Sequence, residues 1–146
     1  DVERSRGLGD VYKRQIVASV FTKIICGELP SYKIYENDRF LAILDIHPNT
    51  RGHTLCIPKQ EQDKLFSLSE TDYLDLMQFA YYIAQGIKKA VDCNRVAMAV
   101  IGLEVPHVHV HLIPANNMRD VTFKSKVRLS KKDLEETAKA ISQHLN

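Results

Sequence analysis

The sequence lacks a strong excess of charge of either sign. It contains 20 lysines and arginines against 18 aspartates and glutamates, a formal net charge of +2 with neutral histidines. Nucleic-acid-binding domains usually show a clear basic excess or a basic stripe along one face. This balance gives no support to such a surface, and we expect no nucleic-acid partner.

The sequence also lacks the apolar segments that associate a chain with a membrane. No apolar run approaches the roughly 18 residues that a membrane-spanning helix requires. A secretory signal would show an apolar stretch after a basic start, and none is present. We therefore expect no membrane association.

Cysteine is scarce and shows no pairing pattern. Cys26, Cys56 and Cys93 are odd in number, widely spaced and include no CxxC pair. Small secreted domains that depend on disulfides use even numbers of cysteines. The pattern favours a reducing compartment, and we predict a cytoplasmic protein.

The first fifteen residues, DVERSRGLGDVYKRQ, differ in composition from the rest of the chain. They are polar, hold two of the six glycines and show neither helical nor strand periodicity. We predict a disordered leader over 1–15, and its sequence resembles a translated cloning adapter more than a targeting signal. Residues 16–146 are then one domain with a single hydrophobic core.

Hydrophobic periodicity predicts the secondary structure of this domain. Apolar residues at helical spacing indicate a short helix over 18–26, a long helix ending near residue 91 and a C-terminal helix over 131–145. A serine followed three residues later by an aspartate has the spacing of a helix-capping box before each longer helix: Ser69 with Asp72, and Ser130 with Asp133. Strand patterns occupy 32–35, 39–46, 53–58, 96–101 and 107–113. Because the strands are adjacent in sequence and the helices are set apart, we predict an α+β domain with a mostly antiparallel sheet.

The segment EVPHVHVHLIP, residues 104–114, places three histidines at every second position. Alternate residues of a strand point to the same face, roughly 7 Å apart. His107, His109 and His111 therefore form one row, and Val108, Val110 and Leu112 form an opposite row that can be buried. An unpaired buried imidazole costs on the order of 1–3 kcal/mol, so the histidine row needs polar partners, water or a ligand.

Three interpretations of the histidine row are open on spacing alone. The imidazoles are solvated or hydrogen-bonded structural groups, or two of them bind a zinc ion with a third ligand from elsewhere. In the third interpretation, a neutral imidazole nitrogen attacks phosphorus while its neighbours hold the phosphate oxygens or protonate a leaving group.

The motif and its surroundings resemble one family. HVHVHLI fits the pattern His-φ-His-φ-His-φ-φ, with φ apolar, and resembles the signature of the histidine triad (HIT) family of nucleotidyl hydrolases and transferases. The stretch from VFTKIICGELPS through LDIHP to GHTLCIPK is similar in order and spacing to the N-terminal half of the Hint-like branch. The matching regions cover most of residues 18–114, and together they are far more specific than a bare HxHxH. The resemblance implies a HIT-like fold.

The resemblance also implies roles for four histidines. His109 matches the nucleophile, which attacks the α-phosphorus of a nucleotide and forms a covalent nucleotidyl-histidine that water hydrolyses. His111 matches the position that contacts the phosphate and stabilises the transition state. His107 matches the supportive first member of the triad, and His53 in GHTLCIP matches a fourth histidine beside it.

Further positions match the nucleotide-binding residues of the family. Asp45 matches the carboxylate that accepts hydrogen bonds from the ribose hydroxyls. Gly102 matches a glycine beside the phosphate, where backbone N–H groups approach the anion closely. The apolar slot for the base corresponds to Val20, Phe21, Ile24, Ile43, Leu44 and Ile46.

The sequence departs from the family pattern in two places. Glu104 stands where many members have a serine near the leaving group, in a segment, VAMAVIGLEVP, that is shorter than usual. A carboxylate there repels polyphosphate tails but can pair with a cationic amine. Some bacterial members bind a structural zinc through a CxxC pair near the first helix, and Phe21-Thr22 stand in that area here. We therefore expect no structural zinc. Because the resemblance implies that an imidazole carries the nucleotide in transit, we expect no other metal and no organic cofactor.

The resemblance implies an enzyme that hydrolyses the bond between a nucleoside monophosphate, with a purine base, and an amine or other leaving group. Two alternatives are a dinucleoside polyphosphate hydrolase and a nucleotide-binding regulatory module with little turnover. We also expect a homodimer built from the long helix and a central strand. Its aromatic residues support this, because they exceed what one face of a monomer's helix should expose: Tyr73, Phe79, Tyr81 and Tyr82.

Overall fold

The computed structural model describes residues 19–145 of the chain, apart from the side chain of Ser19. The leader predicted over 1–15, and the start of the domain at residue 16, lie outside the described residues. Within them, no helix combines the length and the apolar character needed to cross a bilayer. Cys26, Cys56 and Cys93 are all free thiols.

A five-stranded sheet and three α-helices make up the described part of the chain. In chain order these are α1 (Ser19–Ile25), β1 (Lys33–Glu36), β2 (Phe40–Leu44), β3 (Thr54–Pro58), α2 (Glu70–Ala90), β4 (Arg95–Ala99), β5 (Val110–Ala115) and α3 (Lys131–Ser142). The strand order is β1-β2-β3-β5-β4, and every neighbouring pair is antiparallel. The prediction of an α+β fold with a long helix and a C-terminal helix is confirmed.

The helix ends follow the local sequence. The Ser69 hydroxyl accepts the backbone N–H of Asp72 at 3.1 Å and caps α2, while the Asp72 carboxylate pairs with Arg39. Ser130 and Asp133 form the full reciprocal box before α3, at 3.0 and 3.2 Å. Each cap satisfies a backbone donor that the helix itself leaves without a partner.

The two faces of the sheet carry different residues because side chains alternate along each strand. One face packs against α2 and α3, and its core includes Ala42 and Leu44 of β2 together with Leu76 and Ile83 of α2. We call this the helix face. The other face carries Leu41 and Ile43 of the same strand, and it packs against α1. Its apolar cluster consists of Phe21, Leu41, Ile43, Leu55 and Ile57, with Ile24, Ile25 and Val105 around it. We call this the site face.

The last strand begins later than its sequence pattern predicts. β5 starts at Val110, so His107 and His109 precede the paired strand. Other backbone contacts hold them there, since Val108 N–H donates to the Gln62 carbonyl at 2.7 Å and His107 N–H donates to the Val105 carbonyl at 2.8 Å. Alternation nevertheless continues through this segment.

The prediction that the aromatic residues of α2 form an exposed surface is wrong in part. Phe79 is buried and stacks on Phe40 with ring centroids 5.1 Å apart, and Tyr82 packs edge-on against Tyr35 at 5.2 Å. Phe79 therefore belongs to the core, and Tyr82 is partly buried and packs against it. Of the four aromatic residues, Tyr81 is the one that is largely exposed, at 68%.

Candidate active site

The three histidines lie on the site face, and their neighbours lie on the helix face. Val108 and Val110 belong to the buried helix-side core, as the sequence pattern predicts. Phe21 packs edge-on against the rings of His107 and His109, with centroids 5.7 and 5.0 Å away. The row of imidazoles is therefore covered at one end by an aromatic side chain from α1.

His109 is held in one tautomer by the backbone of the triad itself. Its Nδ1 lies 2.7 Å from the carbonyl oxygen of His107, and a carbonyl oxygen can only accept a hydrogen bond. Nδ1 of His109 therefore carries the proton, and in the neutral ring Nε2 carries the free lone pair. Burial beside Phe21 lowers the pKa of His109 below its usual value, so the neutral, nucleophilic form is favoured.

His107 supports this arrangement from a fully buried position. Its Nε2–H donates to the carbonyl oxygen of Pro58 at 2.7 Å, at the end of β3. This bond anchors the residue whose own carbonyl holds His109. Its Nδ1 is buried and has no hydrogen-bond partner in the part of the chain described here. His107 thereby fixes the position of the carbonyl that holds the His109 ring.

His53 and His111 form a second imidazole pair, joined by a hydrogen bond of 3.0 Å between His53 Nε2 and His111 Nδ1. The backbone N–H of Asn49 donates to His53 Nδ1 at 2.9 Å, so this nitrogen carries no proton. His53 must then be protonated on Nε2, which donates to His111 Nδ1. The chain of bonds leaves the proton of His111 on Nε2.

Both members of this pair are neutral near pH 7. Burial, together with the neighbouring imidazoles, lowers the pKa of His53 to about 3 and that of His111 to about 4. The positive charge of Lys126 acts in the same direction on both. His111 therefore offers an N–H to an anion as a hydrogen-bond donor, not as an imidazolium ion.

Asp45 lies beside this pair at the end of β2. Its Oδ2 is 3.7 Å from His53 Nε2, and its Oδ1 accepts the backbone N–H of His47 at 2.9 Å. Burial raises the pKa of Asp45, while the His47 N–H and the charge of Lys126 oppose that rise. A partly buried carboxylate at this place has lone pairs for the hydroxyls of a sugar.

The residues predicted for the apolar slot divide between the two faces. Phe21, Ile24 and Ile43 lie together in the cluster of the site face. Leu44 lies instead in the helix-side core, so it is placed with α2 and α3 and away from the triad. Ile46 and Val20 are 58% and 44% exposed, and neither belongs to a buried cluster.

Gly102 and Glu104 lie in the loop that leads into the triad. Gly102 has φ +70°, in the left-handed region where glycine is favoured. Glu104 is exposed, and its negative charge acts to raise the pKa of His109, against the effect of burial. A charge on the loop before the triad thus affects the protonation of His109.

Two contributors to the site escaped the sequence analysis. Phe123 packs edge-on against His111, with ring centroids 4.9 Å apart, and faces His53 at 6.0 Å. Lys126 donates to the buried side chain of Asn49 at 2.7 Å. Phe123 and Lys126 belong to the segment 115–146, for which the family resemblance offered no match. No local periodicity could have identified them.

One group of side chains in the site could hold a metal ion. Single ligand atoms of Asp45, His53 and His111 lie within 4.8 Å of one another. The group differs from the HxH pair expected in the zinc interpretation, since it uses one triad histidine with His53 and a carboxylate. A metal bound through His53 Nε2 or His111 Nδ1 would replace the hydrogen bond between these two nitrogens.

Comparisons with known proteins agree with this geometry. Residues 26–118, more than half of the chain, match the family model of the HIT domain. An adenosine 5'-monophosphoramidase of Saccharomyces cerevisiae, HNT1, is 39% identical over 100 residues, which cover 66% of this chain and 62% of the yeast protein.

Solved structures extend the likeness over more of the chain. A Hit-like protein from Bartonella henselae superposes with a TM-score of 0.75 at 30% identity, covering 86% of this chain and 95% of that one. A zinc-bound histidine triad family protein from Mycobacterium smegmatis gives a TM-score of 0.72 at 30% identity, over 86% of this chain and 91% of that one. The alternating histidines, the antiparallel sheet and these matches lead to one conclusion: the chain belongs to the HIT family.

Proposed function

We propose that the protein is a nucleotidyl hydrolase that cleaves the P–N bond of nucleoside monophosphate conjugates through a covalent intermediate on His109. One observation carries the proposal. The 2.7 Å hydrogen bond from His109 Nδ1 to the His107 carbonyl leaves Nε2 with a free lone pair. Burial lowers the pKa of this ring and so favours its neutral form. The likeness to a yeast adenosine 5'-monophosphoramidase supports the choice of a phosphoramidate.

In the first step, the lone pair of His109 Nε2 attacks the α-phosphorus. The new P–N bond to histidine forms as the bond to the leaving amine breaks, and the leaving nitrogen takes up a proton from solvent. The imidazole ring of His109 becomes positively charged on forming this bond, and the His107 carbonyl that accepts its Nδ1–H stabilises the charge.

In the second step, water attacks the phosphorus of the nucleotidyl-histidine. The bond between phosphorus and Nε2 breaks, its electron pair returns to the ring, and the water proton is lost to solvent. The products are a nucleoside monophosphate and neutral His109, so the cycle closes without a metal or an organic cofactor. Splitting the reaction into two displacements makes each barrier lower than that of direct hydrolysis.

His111 acts on the phosphoryl oxygens in both steps. Its Nε2–H donates to the oxygens, where negative charge builds up in the transition state. Because the pKa of His111 is lowered to about 4, it serves as a neutral donor and keeps its proton through the reaction. Asp45 accepts the ribose hydroxyls, and a purine base lies in the apolar slot near Phe21, Ile24 and Ile43.

The activity test uses adenosine 5'-monophosphoramidate as substrate. The expected result is release of AMP, with an AMP adduct on His109 found by mass spectrometry after rapid denaturing quench. His109→Ala should abolish both. His144→Ala is the matched control, since His144 is an exposed histidine near the end of the chain and should retain full activity.

Other outcomes would favour the alternatives. Tight AMP binding with no turnover would support a regulatory binding module and overturn the enzyme. One stoichiometric zinc per chain, lost on substitution of His53 or His111, would overturn the metal-free mechanism.

The leaving-group preference is tested at Glu104. Its exposed carboxylate beside the triad should disfavour dinucleoside polyphosphates and favour amines that leave in cationic form. Glu104→Ser should therefore raise kcat/KM for diadenosine tetraphosphate relative to the phosphoramidate. A wild-type enzyme that prefers the tetraphosphate would contradict the proposed substrate class.

We also propose that the protein is a homodimer. β4 is an edge strand of the sheet, and such edges pair readily with another chain. Met98 of this strand and Leu74 and Tyr81 of α2 are about half exposed or more, at 49%, 54% and 68%. An apolar surface formed by the long helix and the edge strand is suited to a second copy.

Light scattering coupled to size-exclusion chromatography tests the dimer. Tyr81→Lys should shift the mass from two chains to one, because a charge in an apolar interface loses its hydration. Met118→Lys is the control, since Met118 is 77% exposed and lies in the 3-10 turn after β5. A wild-type monomer would overturn the proposal.

A further inference from the structure

The C-terminal segment 120–127 is bound to the loop that carries His53. Asn49 is buried in that loop, at 3% exposure, and its side chain has both polar atoms engaged. Its Nδ2 donates to the Asp120 carbonyl at 3.0 Å, and its Oδ1 accepts the Lys126 ammonium at 2.7 Å. The backbone N–H of Val127 adds a bond to the Pro48 carbonyl at 3.0 Å.

Phe123 brings the same segment against the histidines. Its ring meets His111 edge-on, and the Lys126 ammonium lies 4.9 Å from its ring centroid. Phe123 has φ +63°, a left-handed conformation that a residue with a bulky side chain rarely adopts. The chain thus turns sharply at Phe123, and the ring and the ammonium approach the site from one side.

The backbone N–H of Asn49 determines which nitrogen of His53 is protonated. If this donor moved away from Nδ1, His53 could take the other tautomer, with its lone pair on Nε2 facing His111. His111 would then donate from Nδ1, and its Nε2 would point a lone pair at the phosphate. A lone pair repels the phosphoryl oxygens that an N–H would stabilise.

We propose that Lys126 is a positioning residue for catalysis: together with the Asp120 carbonyl it clamps Asn49, so that the Asn49 backbone N–H fixes His53 and, through it, presents His111 Nε2–H to the phosphate. The inference rests on the proposed function, because it assumes that His111 acts on a phosphoryl group. It adds a catalytic contribution from the segment that follows the matched HIT domain.

The clamp predicts a pattern that direct substrate binding by Lys126 would not produce. Lys126→Met should lower kcat, by up to about a hundredfold for a misplaced catalytic group, with little change in KM. Lys126→Arg should restore much of the loss, since a guanidinium can also donate to Asn49 Oδ1. Lys124→Met is the matched control, because Lys124 is exposed on the same segment and should behave as the wild type.

A double-mutant cycle distinguishes action of Lys126 through Asn49 from direct contact of Lys126 with the substrate. Asn49→Ala keeps the backbone N–H but removes the side chain that Lys126 holds. If Lys126 acts through Asn49, Lys126→Met should have little further effect in the Asn49→Ala background. An undiminished effect there, or an effect confined to KM, would overturn the clamp in favour of direct substrate contact.

Nitrogen-15 NMR of the histidine side chains gives a readout that does not depend on turnover. The wild type should show a single tautomer at His53, protonated on Nε2, and at His111, also protonated on Nε2. Lys126→Met should give mixed tautomers at both, while Lys124→Met should not. Unchanged tautomers in Lys126→Met would refute the clamp, whereas altered tautomers in a protein without phosphoramidase activity would leave the clamp intact and refute the proposed function.

Discussion

The two faces of the sheet use the same strands for different purposes. On β5, Val110 and Leu112 are buried against α2 and α3, while His111 between them faces the site. The helix face is a large apolar core held by burial, which is non-directional. The site face holds its imidazoles by hydrogen bonds whose directions determine each tautomer. Substitutions of neighbouring residues on one strand should therefore have different effects: loss of activity on the site face and loss of stability on the helix face.

The largest difference is expected for His109, the proposed nucleophile. His109→Ala should lower kcat/KM by at least about a thousandfold, because no other group in the site offers an in-line lone pair. The free energy of unfolding of this variant should fall less than that of a variant in the helix-side core, since the imidazole contributes one backbone hydrogen bond and an edge-on contact with Phe21. Steady-state kinetics and urea denaturation on the same sample test this prediction. A variant that loses its fold together with its activity would contradict the proposed difference between the two faces.

The reverse, lower stability with nearly unchanged activity, is expected for Leu112, the residue that follows His111 on β5. Leu112 is 1% exposed, and Leu112→Ala should lower the free energy of unfolding by roughly 2–5 kcal/mol through lost burial and a cavity. At a temperature where the variant is folded, kcat/KM should stay near the wild-type value. A large kinetic defect with normal stability would show that the helix face also shapes the active site.

A smaller effect is expected at Phe21, an apolar side chain that packs against His109. Phe21→Ala exposes His109 to water, so the pKa of His109 should rise towards its usual value. The acid limb of the kcat/KM profile should move to higher pH, because more of the ring is then protonated at a given acidic pH. Phe21→Leu keeps most of the apolar cover and should move the limb less, and an unmoved limb in Phe21→Ala would exclude burial as the cause.

The last comparison concerns how the free energy of unfolding depends on pH. The pKa of His53 is about 3 when folded and 6.5 in its usual state, so the unfolded chain binds more protons between these values. The contribution of His53 to the free energy of unfolding is therefore fully present above about pH 6.5 and is lost as the pH drops towards 3. His53→Gln should flatten this slope, measured by thermal denaturation, whereas His144→Gln should leave it unchanged.

Local sequence patterns predicted much of the fold and part of the site. Alternation in HVHVHLI separated the histidines from the valines correctly, although the paired strand begins only at Val110. Ser130 with Asp133 predicted the capping box of α3, because this signal involves neighbours within one turn. Local patterns could not predict the face on which Leu44 lies or the burial of Phe79, because both depend on which elements pack against each strand and helix.

What the sequence by itself determined is the set of features with short-range causes: the helix caps, the strand periodicity, and the row of imidazoles opposite a row of apolar side chains. Only the tertiary structure decided which nitrogen of each imidazole carries the proton. Those protons depend on the carbonyl of Pro58, 49 positions from His107, and on a clamp that joins Asn49 to Lys126 across 77 positions. Hydrogen bonds between groups so far apart in the chain exist only after the backbone has brought their donors and acceptors together.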